Sequence, residues 1–358
     1  MAATPRRPRI AALDAARALA VLAMVFGHTL DAVLAKPFWE SPGFAQYWKA
    51  RGLTAPLFMI ISGWAVTLAI SRSGATGWDV PRARWRRVAL LLFIGYLLHW
   101  PGWALERLLA GDREIWAGFL AFDALHVIGL SLGAASLVLA LPWARWRQGV
   151  AFLWLLALCV VLGRSAPLPD YVQVASLPDL PWLAVVQVVG GSSRFPVVPW
   201  AGYFFAGAAV GLLIPQDRRG ALLEAGLGAA LVAATAPFGV GDRFPGDPLL
   251  IAFRIGAVLL VLAALSVVPE RVARLAAPLG KASLGVYALH LPLVYGWSVF
   301  PGLWQRVGPT LGAGAAFATA VGVLLASFAL LWLGKALWRW ARGLWPKAGA
   351  GPVASADS

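Results

Sequence analysis

Residues 10–33 read IAALDAARALAVLAMVFGHTLDAV. At ~1.5 Å per residue the run is long enough to cross a hydrocarbon layer ~30 Å thick as one helix. It nevertheless carries four ionisable residues, Asp14, Arg17, His28 and Asp31. Such groups are costly in hydrocarbon and face a bundle interior, a partner or a substrate. With Asp14 at zero and ~100° per residue, Arg17 falls at about 300°, His28 at about 320° and Asp31 at about 260°. All four share one stripe about 100° wide, which must turn inward. The stretch predicts the first helix of an all-α, polytopic integral membrane helix bundle.

The rest of the 358-residue chain agrees: 60% of it is hydrophobic, 13% is charged, and the mean hydropathy is +0.74. A soluble domain needs a more polar exterior than this. Apolar runs of spanning length fall at about 11–33, 53–71, 88–105, 119–141, 149–163, 197–214, 221–239, 249–268, 282–300 and 311–334, which predicts about ten transmembrane helices. Residues 1–345 read as one transmembrane domain and 346–358 as a short flexible tail.

The net charge of +14 resembles that of nucleic-acid binders, but its placement excludes that reading. Nineteen of the thirty Lys and Arg residues lie in alternate gaps between runs, nine lie in the other gaps, and Arg17 and Arg254 lie within spans. This positive-inside pattern predicts that both termini are cytoplasmic and that the chain is a multi-pass protein of the cell (inner) membrane. Arg6, Arg7 and Arg9 before an apolar run imitate a secretory leader. Asp14 and Arg17 within the run argue for a retained helix instead. The proline-rich connection 164–196 reads as external, dipping to the interface as an irregular or re-entrant stretch. Trp100, Trp103, Trp143, Trp146, Trp338 and Trp340 cluster at span ends, as an aromatic belt does.

Asp14 and Arg17, three apart, can pair on one helix face. Asp31 follows His28 by three and can orient one ring nitrogen, leaving the other as a base. His28 and Asp31 are therefore the candidate catalytic residues. Ser62, His126, Arg254 and His290 are further polar groups within spans, and with Asp14 and Arg17 they are candidates for binding substrate. No two of the four histidines show local metal-ligand spacing, so no metal is expected. Cys159 is the only cysteine, which excludes an intrachain disulfide.

Ten residues separate Arg17 from His28 in RIAALDAARALAVLAMVFGH (residues 9–28). This resembles the first-helix signature of the transmembrane acyltransferase superfamily, which includes the acyltransferase-3 enzymes. APLFMIISGWAV (55–66), FDALHVIGLSL (122–132), FPVVPWAGYFFAGAAVGLL (195–213) and ASLGVYALHLPLV (282–294) follow in matching order. They resemble bacterial relatives of the heparan-α-glucosaminide N-acetyltransferase catalytic domain. The resemblance implies transfer of an acyl group, typically acetyl from cytoplasmic acetyl-CoA, to a hydroxyl or amine of a carbohydrate or cell-envelope glycan. By that analogy His28 is the catalytic histidine and Arg17 its paired arginine. In the lysosomal enzyme the position matching His28 is asparagine and a later loop histidine serves catalysis. Here Trp39 stands at that later position and residues 36–51 hold no histidine, so the implied mechanism follows the acyltransferase-3 pattern. The five arginines from Arg72 to Arg87 suit the phosphates of coenzyme A as well as topology. A second reading of the same features is a multi-pass transporter of a small polar or anionic solute.

Overall fold

The computed structural model describes residues 11–165, 188–189 and 193–344; the predicted tail (346–358) and most of the 164–196 connection lie outside this set. Among the described residues the regular structure is helical, with only the isolated bridges Leu34–Leu311 and Trp297–Phe300 besides. Each of the ten apolar runs falls on helix, although several boundaries move.

The long elements are α1 (Ala11–Val33), α3 (Thr54–Ser73), α4 (Asp79–Leu98), α7 (Ala124–Ala140), α8 (Arg145–Ser165), α9 (Val197–Leu213), α10 (Arg218–Thr235), α11 (Pro248–Ser266), α12 (Glu270–Tyr295) and α14 (Ala313–Leu344). Short helices α2 (Pro42–Arg51), α5 (Leu105–Leu109), α6 (Arg113–Leu120) and α13 (Leu303–Arg306) lie in the connections. Among the described residues six helices are long and apolar enough to cross a membrane, or up to eight if two bent pairs each count as one span. One bent pair turns by 90° between α4 and the segment Gly102–Leu109, where Pro101 cannot continue a helix. The other turns by 57° between α6 and α7, where Asp123 caps α7 by accepting from Leu125 N at 2.8 Å. α12, whose first half carries Glu270, Arg271, Arg274 and Lys281, and α9, with 17 residues, are not among these candidate spans.

One core forms where α3 packs on α9, with Met59, Ile60, Ile61 and Trp64 against Tyr203, Phe204 and Phe205. A second joins Val21 and Val25 of α1 to Val286 and Val294 of α12 and Ala316 and Val323 of α14. Other apolar side chains point away from the bundle at mid-helix: Trp154 is 72% exposed and Leu227 48%. A soluble protein would bury such rows, whereas lipid covers them without cost.

α1 and α12 pack along one another from end to end. The crossing is close because Gly280 presents no side chain; a Cβ there would meet the Asp14 carbonyl oxygen at 2.6 Å and Arg17 Cβ at 3.3 Å. Gly322 of α14, by contrast, faces open space. Gly280→Ala is expected to destabilise by about 1–3 kcal/mol, the usual range for overpacking. Gly322→Ala is expected to be neutral or stabilising, because alanine is the better helix former. Thermal unfolding in detergent compares the two, and equal shifts would count against the close crossing.

Candidate functional site

Two cavities lie along α1. The larger, about 720 Å³, surrounds His28 and Asp31; the smaller, about 340 Å³, contains Arg17. Phe58 of α3 borders both and stacks on Tyr287 of α12 with ring centroids 6.1 Å apart.

The His28 cavity is built from helix ends. His28 Nδ1 lies 2.9 Å from His290 Nε2, and His290 Nδ1 lies 3.0 Å from the Val286 carbonyl oxygen. The two rings are separated by 5.2 Å and differ by 4° in plane, so they lie edge to edge as an in-plane hydrogen bond requires. A carbonyl can only accept, so His290 carries its proton on Nδ1 and presents a lone pair at Nε2. In the neutral pair His28 must then donate from Nδ1, and its own Nε2 holds a free lone pair. His28 lines the cavity, with Tyr295 edge-on at 5.6 Å.

Asp31 does not orient His28 as the sequence spacing suggested. It forms an ion pair with Arg51 of α2, while the histidine's Nδ1 is taken by His290 on the neighbouring helix. Arg51 reaches Asp31 by lying across α1 at Gly27, where a Cβ would come 2.9 Å from its Nε. Two further arginines line the same cavity. Arg194 stands beside a segment fixed to the start of α7: Ser193 Oγ accepts from Phe122 N at 2.8 Å and Phe195 N donates to Phe122 O at 3.2 Å. Arg254 sits in the second turn of α11, whose start is capped by Asp247 accepting from Leu249 N at 2.8 Å.

The Arg17 cavity has the opposite character from an aromatic chamber. Arg17, Arg84, Arg87 and Lys281 converge there with Ser62, whose hydroxyl donates to Phe58 O at 2.7 Å. Asp14 is buried beside it, with its Oδ1 3.4 Å from Arg17 Nη1. Such a set of fixed cations suits a polyanion.

Of the residues singled out from sequence, His28, Asp31 and Arg254 share one cavity, with His290 directly behind His28; Arg17 and Ser62 share the other, with Asp14 behind Arg17. His126 belongs to neither. It is fully buried in the first turn of α7, its Nδ1 3.1 Å from both the backbone nitrogen and the carboxylate of Asp123, and so closes the helix cap. Arg51, Arg194, Tyr287 and Tyr295 were not singled out. The two arginines were counted only as loop charges, and nothing in their local sequence shows that their loops fold over the cavity.

Residues 10–332 match the acyltransferase-3 family, described as an acyltransferase domain. No curated protein matches the chain.

The Asp31–Arg51 pair gives a direct check of this geometry. Removing one partner of a half-buried pair strands the other charge, so Asp31→Ala and Arg51→Ala are each expected to destabilise by more than the double variant does. Thermal unfolding of the three variants measures this, and additive losses would show that the residues do not interact.

Proposed function

The chain belongs to the acyltransferase-3 family, and we propose that it moves an acyl group, acetyl being the expected one, from cytoplasmic acyl-CoA to a hydroxyl or amine of a cell-envelope carbohydrate. The observation that carries this reading is the free Nε2 lone pair of His28, set by the His28–His290 hydrogen bond in a cavity that meets a basic one at Phe58. Arg17, Arg84, Arg87 and Lys281 are the residues suited to the phosphates of the donor. The aromatic His28 cavity suits a sugar ring.

His28 is the general base in this mechanism. Its Nε2 accepts the proton of the acceptor hydroxyl as the oxygen attacks the thioester carbonyl. The carbon–sulfur bond then breaks, and His28 returns the proton to the departing thiolate, giving an acyl ester and free coenzyme A. His290 is a positioning residue. By accepting from Nδ1 it fixes the tautomer and stabilises the imidazolium formed when Nε2 is protonated. Asp31 acts at one remove, by holding Arg51.

We also propose one domain of ten crossings with both termini cytoplasmic in the inner membrane. Supporting this, Arg17, Arg84, Arg87 and Lys281, from three different helices, collect at one end of α1. A transporter reading gains nothing from the family match and is set aside.

His28→Ala is expected to lose at least about 100-fold in acyl transfer, the usual contribution of a positioned base. Arg84→Gln with Arg87→Gln should raise KM for acyl-CoA with kcat nearly unchanged, as removal of uniform binding does. Single-turnover and steady-state assays on monodisperse protein decide both, and near-wild-type rates in His28→Gln would sink the assignment. For topology, Cys159→Ala provides a background for single cysteines at Ser73 and Thr310. An impermeant thiol reagent should reach Thr310→Cys from outside intact cells and Ser73→Cys only after lysis.

A further inference from the structure

We propose that the acceptor is anionic: the group that becomes acylated sits on a molecule that also carries a phosphate or carboxylate, which Arg194 and Arg254 hold against the aromatic walls of the His28 cavity. This rests on the reading of that cavity as the acceptor's chamber.

The charges lining the cavity do not balance among the described residues. Arg51, Arg194 and Arg254 face it with Asp31 as the one carboxylate, and Asp31 is already paired with Arg51. None of the ion pairs among the described residues includes Arg194 or Arg254, although Asp31 also lies within electrostatic reach of Arg194. Arg254 is the more telling, because its Nη1 is buried and has no hydrogen-bond partner. Its guanidinium lies over the Trp200 ring, 5.8 Å from the centroid. Arg194 is similarly placed over Tyr295, 6.0 Å from the centroid. The Tyr203 hydroxyl approaches Arg254 and the Tyr295 hydroxyl approaches Arg194; each guanidinium has five N–H donors, so donors are left over on the cavity side to bind phosphate or carboxylate.

A guanidinium within a helix bundle is costly unless paired, and the ordinary escape is to snorkel to the interface. Arg254 does not escape, since its Nη1 is inaccessible to solvent. The donor's phosphates are not the missing anions, because they have their own cations at the other end of α1. Arg17 and His28 are eleven residues apart, ~16 Å along the helix. Trp200 and Tyr295 beside the two arginines suit a sugar ring stacked next to its charged substituent.

The test uses the full-length protein in nanodiscs of zwitterionic lipid, with binding read by calorimetry and thermal shift. The probes are methyl α-glucopyranoside, methyl α-glucopyranosiduronate, α-glucose 1-phosphate and glycerol 3-phosphate. The anionic probes are expected to bind about tenfold or more tighter than the neutral glucoside, in line with charge-assisted bidentate contacts. Arg254→Gln and Arg194→Gln should each erode that preference, and Arg254→Lys should retain part of it. The wild-type comparison stands even if Arg254→Gln fails to fold. Preference for both anionic sugars supports an acidic glycan. Glycerol phosphate binding as tightly as glucose 1-phosphate supports the same anion chemistry with a phospholipid headgroup as its source. Equal affinity for the neutral glucoside overturns the proposal. So does a preference that survives Arg194→Gln with Arg254→Gln, or one that disappears only in Arg84→Gln with Arg87→Gln. Failure of wild-type protein to bind coenzyme A would count against the donor reading alone, because the anion preference is measured without acyl transfer.

Discussion

The contact between α1 and α12 is the constraint on which the site depends. In hydrocarbon there is no water to satisfy a polar side chain, so a helix bearing Asp14, Arg17, His28 and Asp31 is tenable only with a matching neighbour. α12 supplies that match twice. Near one end, Gly280 lets the backbones approach until a methyl would not fit beside the Asp14 carbonyl. Near the other, His290 takes the proton that His28 offers. Between them, Val21 and Val25 of α1 and Val286 of α12 belong to one apolar cluster, which makes the intervening surface apolar. The close crossing at Gly280 therefore helps to set the distance at which the two imidazoles meet.

Much of the fold was legible because a membrane helix declares itself by composition over some twenty residues. Each apolar run lies on helix, and the polar stripe of α1 does face the interior, with its two halves lining two cavities. What composition does not record is where helices break. Pro101 ends a run that looked continuous, and Asp123 starts a new helix inside another. In both places one residue's backbone chemistry outweighs the hydropathy around it.

The candidate site was legible only in part, for a related reason. His28 stood out because its cost in hydrocarbon is visible in one dimension. Its partner was misjudged: Asp31 is three residues away and on the right face, but His290 is 262 positions distant and closer in space. Spacing identifies neighbours on one helix and is silent about the next. The same blindness hid Arg51 and Arg194, which were counted as loop charges of the less basic set. That count treats arginine as a label for a side of the membrane. Here two of those labels are also wall residues of a cavity, drawn in by Gly27 and by the Phe122 backbone. His126 shows the converse: a histidine that the sequence offers for substrate lies outside both cavities, its Nδ1 engaged in a helix cap.

The distribution of charge also bears on what crosses the bundle. A transporter moves its whole solute through a central site between repeated halves, which its two gates expose in turn. The sequence shows no obvious inverted halves, and among the described residues a main contact pairs an early helix, α1, with a late one, α12. Along α1 lie two chambers instead, each with an excess of cations among its described lining residues, meeting at Phe58. Two fixed basic chambers would hold two anionic molecules in place, which would impede through-transport of either one. They suit a reaction in which both polar bodies stay on their own sides and only a small neutral group passes between them. An acyl group is such a cargo, and in the proposed reaction the unprotonated nitrogen of His28 would sit on the acceptor's side of that boundary, where the nucleophile must lose its proton.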